Sequence, residues 1–132
     1  MASTPPQNHR ILSIGLHPRS LDYRTVSDGV DEGSLTARIE RGNAALRDAG
    51  FDVVLCQVDT SPDAAEDVIR ARCATTSFGL AMIGGGIRMV PEHTLLFERI
   101  VNVLLTESPG IRLCFNTAPD TLDALRRWIE PS

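Results

Sequence analysis

The chain has 132 residues, of which 42% are hydrophobic and 23% are charged, a composition typical of one globular domain rather than a disordered chain. Its formal net charge of −4 at pH 7, with no block of basic residues, argues against binding to nucleic acid or to an acidic membrane. All 13 basic residues are arginine, so chemistry that needs a lysine, such as a Schiff base or a P-loop, is excluded within this chain.

Cysteine usage and the N-terminal segment indicate a cytoplasmic protein. Cys56, Cys73 and Cys114 have no C-x-x-C spacing and no paired histidines, which suggests reduced thiols and predicts no metal site. Residues 1–9 lack the apolar core of a signal peptide, and no segment has the roughly 18 apolar residues of a membrane span. We predict a disordered lead-in over residues 1–9 and a single α/β domain over residues 10–132.

The first half of the domain carries two strand patterns and two helix patterns. Residues 11–16 (ILSIGL) predict the first strand, and residues 34–49 place apolar side chains on one helical face before Gly50 ends the helix. Residues 52–58 (DVVLCQV) are rich in β-branched side chains and predict the second strand. A second helix begins at Ser61-Pro62-Asp63 and runs to about residue 73 or 74.

The second half repeats this alternation. Residues 78–83 (FGLAMI) predict the third strand, which is followed at once by Gly84, Gly85 and Gly86. A long helix is expected from residue 91 to about residue 107, where Pro109-Gly110 ends it. Residues 111–116 (IRLCFN) predict the fourth strand, and a last helix is expected over residues 120–129 with Asp120 as its cap.

The strands are apolar throughout, which is typical of a parallel sheet with helices on both faces. The alternating order predicts an α/β three-layer sandwich, flavodoxin-like, with a four-stranded parallel sheet in the order 2-1-3-4. In such a sheet the chain turns to opposite sides after strands one and three, and ligands bind at this switch point, outside the carboxyl ends of the strands.

The predicted strand ends bring several polar residues to that edge. His17 and His93 are candidates for a general acid or base because histidine titrates near neutral pH, although a lone histidine in a loop is more often only hydrogen-bonded or solvated. Arg19 and Asn116 are candidate ligand-binding residues. The other residues expected at this edge are Gln57, Asp59, Gly84–Arg88, Glu92 and Thr117.

The glycine triplet is the sharpest local signal. Gly84, Gly85 and Gly86 can turn their N–H groups into a concave nest, and Arg88 can clamp an anion there, since the following helix lacks a capping side chain. Arg88→Ala is then expected to weaken anion binding without changing stability. The alternative is that the glycines only permit a tight turn, with the Glu92 carboxylate satisfying the helix N–H groups.

Two further segments have open interpretations. Residues 17–33 are long for a connection in an α/β unit, so they are either a lid over a ligand or an insertion without a role. The helix over residues 91–107 is apolar on more than one face, which favours a homodimer contact.

The stretch GGGIRMVPEHTLLFERIVNVL, followed by CFNTAPD, resembles small flavodoxin-like α/β proteins without an assigned activity. The resemblance implies the fold and no catalytic residue or cofactor. Two functions therefore stay open. One is a binding protein or enzyme for an anionic small molecule at the sheet edge, and the other is a non-catalytic module that dimerises through the helix over residues 91–107.

Overall fold

A computed structural model of the chain describes residues 8–21, 30–116 and 121–129. Strands and helices alternate along it, with two short 3-10 turns at Pro18–Ser20 and Pro91–His93. The elements are β1 (Arg10–Leu16), α1 (Glu32–Asp48), β2 (Asp52–Val58), α2 (Pro62–Thr75), β3 (Leu80–Ile83), α3 (Gly85–Arg88), α4 (Thr94–Glu107), β4 (Arg112–Phe115) and α5 (Thr121–Arg126).

The four strands form one sheet in the order β2-β1-β3-β4, and every neighbouring pair is parallel. Ile14 in the centre of the sheet is in register with Cys56 on one side and with Ile83 on the other. The predicted three-layer, flavodoxin-like arrangement is therefore confirmed. None of the helices in the described ranges is long and apolar enough to cross a membrane.

Local capping chemistry explains where the first two helices begin. The Asp31 carboxylate accepts the Ser34 N–H at 2.7 Å, and the Ser34 hydroxyl accepts the Asp31 N–H at 3.0 Å, so α1 begins before the predicted start at Ser34. Gly50, with φ of 96°, ends it as expected. The Ser61 hydroxyl accepts the Ala64 N–H at 3.3 Å, which confirms the predicted start of α2.

The long helix predicted over residues 91–107 begins later than expected. Val90 is extended before Pro91, as a residue before proline tends to be, and Pro91–His93 forms a 3-10 turn ahead of α4. The glycine triplet also contains a helix that the sequence did not predict, because Gly84 is the N-cap of the four-residue α3. Thr117, Asp120 and residues 22–29 of the predicted lid lie outside the described residues.

Two apolar cores of unequal size lie on the two faces of the sheet. The larger one joins α2, α3 and α4 to the sheet, and α4 alone buries Leu96, Ile100, Val103 and Leu104. Arg99 of α4 ties these helices together by pairing with Asp63 and Glu66 of α2 at 2.9 and 2.8 Å. On the opposite face α1 buries only Leu46, so that face is covered much less completely.

The buried thiols give a first prediction. Burial raises the pKa of Cys56 and of Cys114 to about 11, whereas Cys73 on α2 is only partly buried. Because the thiolate is the reactive form, a native sample treated with iodoacetamide at about pH 8 should be modified at Cys73 first. Mass spectrometry of digests should show Cys56 and Cys114 reacting only after unfolding. Early modification of either one would contradict their burial in the core.

Candidate functional site

A cavity of about 380 Å³ lies between α1 and α5, over the sheet face that carries the smaller core. We call it the α1–α5 cavity. A second space of about 160 Å³, the edge cavity, reaches the carboxyl ends of the strands and shares with the first Ser13, Ile39, Leu55, Met82 and Asn116. The residues that line the α1–α5 cavity are Ser13, Ile39, Gly42, Asn43, Ala45, Leu46, Leu55, Met82, Asn116, Thr121 and Leu122. The edge cavity adds Ile14, Gly15, Leu16, Gln57 and Gly84.

The cavity lies here because the two helices on this face stand over the outer strands. Helix α1 packs against β2, and α5 packs against β4, so the central strands β1 and β3 carry less cover at their carboxyl halves. These two strands are also where the crossovers turn to opposite faces of the sheet. The site is therefore at the topological switch point, where ligands bind in this class of sheet.

Two glycine residues, which have no side chain, keep this space open. Gly42 lies in the middle of α1, one turn from Ile39 and from Leu46, and Gly15 lies near the end of β1. A Cβ atom added to either glycine would meet no atom within 4 Å beyond its chain neighbours and, for Gly42, the backbone of its own helix. Glycine inside a helix is less stable than alanine by about 1 kcal/mol, and glycine also weakens a strand. Both residues therefore reduce stability while they leave room, Gly42 in the α1–α5 cavity and Gly15 in the adjoining edge cavity.

The floor of the site follows from the strand register. Ser13 on β1 lies between Leu55 of β2 and Met82 of β3, and these three side chains form one row across the sheet. Side chains alternate along a strand, so the next row on the same face lies two residues toward the carboxyl ends. Gly15 pairs with Gln57 in this row, and Gly84 and Asn116, which directly follow the paired residues Ile83 and Phe115, continue it. We call this second row the glycine platform.

Asn116 is held firmly at the end of β4. Its Nδ2 donates to the Thr121 hydroxyl at 2.9 Å, and its backbone carbonyl accepts from Nη2 of Arg88. Its Oδ1 is buried and has no hydrogen-bond donor among the residues described. A buried acceptor without a donor is unfavourable, so this carboxamide has capacity for one more partner.

Arg88 lies against β4 and does not line either cavity. Besides its bond to the Asn116 carbonyl, its guanidinium sits 5.6 Å from the centre of the Phe115 ring, and Nε is buried without an acceptor in the described part of the chain. Phe97 of α4 packs on the same ring edge-to-face, with ring centres 6.0 Å apart. Arg88 thus connects α3 to the end of β4.

The glycine triplet differs in conformation from the sequence-based expectation. The Gly84 N–H donates to the Ile14 carbonyl at 3.0 Å and continues the ladder between β3 and β1, while Gly85 and Gly86 form the first turn of α3. None of the three has a positive φ, so the expected concave nest is wrong. Anion binding by Gly84, Gly85, Gly86 and Arg88 stays a prediction.

His17 and Arg19 belong to a small hydrogen-bonded turn after β1. The Nδ1 atom of His17 accepts the Arg19 N–H at 3.1 Å, so this histidine caps the 3-10 turn. The Ser20 hydroxyl donates to the Asp59 carboxylate at 3.1 Å and joins the turn to the end of β2. Hydrogen bonds from the Thr60 N–H and from Ser20 hold the pKa of Asp59 below its ordinary value.

The structure brings only part of the predicted site into the cavities. Gln57, Gly84 and Asn116 line them, whereas His17, Arg19, Gly85, Gly86, Arg88 and His93 do not. His93 is half-buried and occupies the N-cap position of α4 without a side-chain capping bond. The described residues contain no group of three histidine, cysteine or acidic side chains that would hold a metal ion.

Sequence reasoning missed Ser13, Gly15, Gly42, Asn43 and Thr121. Gly42 and Gly15 carried a usable signal, because a glycine on the apolar face of a helix and a glycine inside a strand both mark a place where space is needed.

No family model, no curated protein and no solved structure matches this chain. The function is therefore inferred from the site alone.

Proposed function

We propose that this chain binds a small, uncharged and largely apolar molecule in the α1–α5 cavity and the adjoining edge cavity. The observation that carries this proposal is the pair of glycines, Gly15 and Gly42, which reduce the stability of β1 and α1 and open onto the joined cavities. A volume of about 380 Å³ is in the range of small-molecule sites. A protein that only needed this face for packing would gain stability by filling it.

The lining supports an uncharged ligand. Among the described residues that line the two cavities, none is charged, and the polar groups are hydroxyls and carboxamides. Placing an ionised group in such a site without a counter-charge is unfavourable, whereas apolar contact with Leu55, Met82 and Leu122 is favourable. This differs from the anionic ligand that the glycine triplet suggested in the sequence.

A titration followed by NMR tests the proposal. Uncharged aromatic fragments added to 15N-labelled protein should shift the amide signals of Ser13, Leu55, Met82 and Asn116, which surround the cavity. The signals of α2 and of the α4 residues that pack against it should stay unchanged, because those residues lie on the opposite face of the sheet. If no fragment causes shifts at the cavity, or if the shifts fall on α2 and α4, the proposed site is wrong.

A second candidate function is a homodimer through α4. Leu95 and Leu105 on this helix are 56% and 48% exposed, although the other side of α4 is packed on α2 and on the sheet. Exposed leucines of this kind favour contact with another chain. The dimer would not require the α1–α5 cavity and is compatible with a ligand there.

Light scattering tests the dimer. At tens of micromolar the protein should show twice its monomer mass of 14.4 kDa, and Leu105→Glu should return it to the monomer, because a charge would be buried in the contact. Ala44→Glu is a matched control on the exposed side of α1. A monomer mass for the wild-type protein would contradict dimerisation.

A further inference from the structure

We infer that the ligand is a flat heterocyclic amide that lies on the glycine platform, with its edges recognised by the carboxamides of Gln57 and Asn116. This inference rests on the proposed function and names the class of molecule that the site accepts. It goes beyond apolar complementarity, because it assigns the hydrogen-bonding groups that select among uncharged ligands.

The order of the strands determines the shape of the platform. In the sheet order β2-β1-β3-β4, Gly15 and Gly84 occupy the two central positions of the row, with Gln57 at one end and Asn116 at the other. Neighbouring strands are about 4.8 Å apart, so two adjacent glycines expose a strip of bare backbone about two strands wide. A planar ring can lie directly on this strip because no Cβ atom rises from it.

The two carboxamides supply the polar groups of the platform. Gln57 is half-buried, and its side chain makes no hydrogen bond within the described residues. Asn116 offers a buried Oδ1 that has no donor among the described residues, while Thr121 and Arg88 fix the position of the residue. A carboxamide can accept from an N–H and can donate to a carbonyl, and these are the two groups that border a cyclic amide or imide.

The surroundings favour a ring without charge. The row behind the platform is Leu55, Ser13 and Met82, which presents one hydroxyl between two apolar side chains. The polarisable thioether of Met82 can make a favourable contact with the edge of an aromatic ring of the ligand. Since the described lining contains no charged group, the hydrogen bonds of the amide, rather than ion pairing, select the ligand.

A matched pair of probes tests this inference. Quinazoline-2,4-dione has two amide N–H groups, whereas its 1,3-dimethyl derivative keeps the ring and both carbonyls and has no N–H. Wild-type protein should bind the parent compound roughly tenfold more tightly in isothermal titration or NMR titration, the difference expected for one or two buried hydrogen bonds. Gln57→Leu and Asn116→Leu should each reduce this preference toward unity.

Two controls keep the test decisive. Asn102→Leu alters an exposed carboxamide on α4 that lines neither cavity, and it should leave the preference unchanged. Thr121→Val removes the hydroxyl that holds Asn116, and it should weaken the preference without removing a platform residue, in case Asn116→Leu fails to fold. Equal binding of the two compounds to wild type, or failure of both while other fragments bind at the cavity, overturns the heterocyclic-amide inference and leaves the proposed function intact. Failure of every fragment overturns both.

Discussion

Replacing Gly42 with leucine should abolish ligand binding in the α1–α5 cavity and should raise the stability of the protein. Gly42 is itself exposed, but it lines the cavity together with Ile39 and Leu46, and an added Cβ atom has open space around it. A leucine side chain would occupy the cavity that a ligand needs. Leucine is also a better helix former than glycine by about 0.7 kcal/mol, so binding and stability should change in opposite directions.

Three variants separate these effects. Gly42→Ala should raise the unfolding free energy by about 1 kcal/mol in urea denaturation and should reduce binding only slightly, because a methyl group takes little of the cavity. Ala44→Leu places the same leucine on an exposed position of α1 that does not line the cavity, and it should leave binding unchanged. If Gly42→Leu binds fragments as tightly as wild type, the ligand does not occupy this cavity.

The order of the sheet was predictable from the sequence because each signal had a local physical cause. Apolar runs such as residues 52–58 indicated strands covered on both faces, and Gly50 and Ser61 marked helix ends by their capping chemistry. Helix α1 begins at Glu32, two residues before the predicted start at Ser34, because the Asp31 carboxylate caps it. Right-handed crossovers then left few ways to order four parallel strands.

The cavity was not predictable, because it depends on the distance between two helices rather than on any one segment. Helix α1 buries only Leu46, and it covers β2 while it leaves the centre of the sheet open. No sequence pattern gives the distance between α1 and α5. The direction of a long side chain is similarly set by tertiary neighbours. The sequence placed Arg88 at the correct edge of the sheet, but its guanidinium lies against Phe115 and Asn116 and does not line the cavities.

Replacing Arg88 with alanine should destabilise the protein, contrary to the sequence-based expectation that stability would not change. Arg88 connects α3 to the end of β4 through a charged hydrogen bond to the Asn116 carbonyl and through contact with the Phe115 ring. Loss of a charge-assisted hydrogen bond together with a cation–π contact is expected to lower the unfolding free energy by about 2 kcal/mol. For a domain of this size the melting temperature should fall by roughly 5–10 °C.

Control variants distinguish this connection from a general effect of charge. Arg126→Ala removes an exposed arginine from α5 and should change the melting temperature little. Arg88→Met keeps an apolar stem of similar length and removes the buried Nε that has no acceptor among the described residues, so it should recover part of the lost stability. The same samples, titrated with phosphate, also test the anion-binding hypothesis for Arg88. Unchanged stability of Arg88→Ala, combined with weaker phosphate binding, would show that the guanidinium serves an anion at Gly84–Gly86 and does not connect α3 to β4.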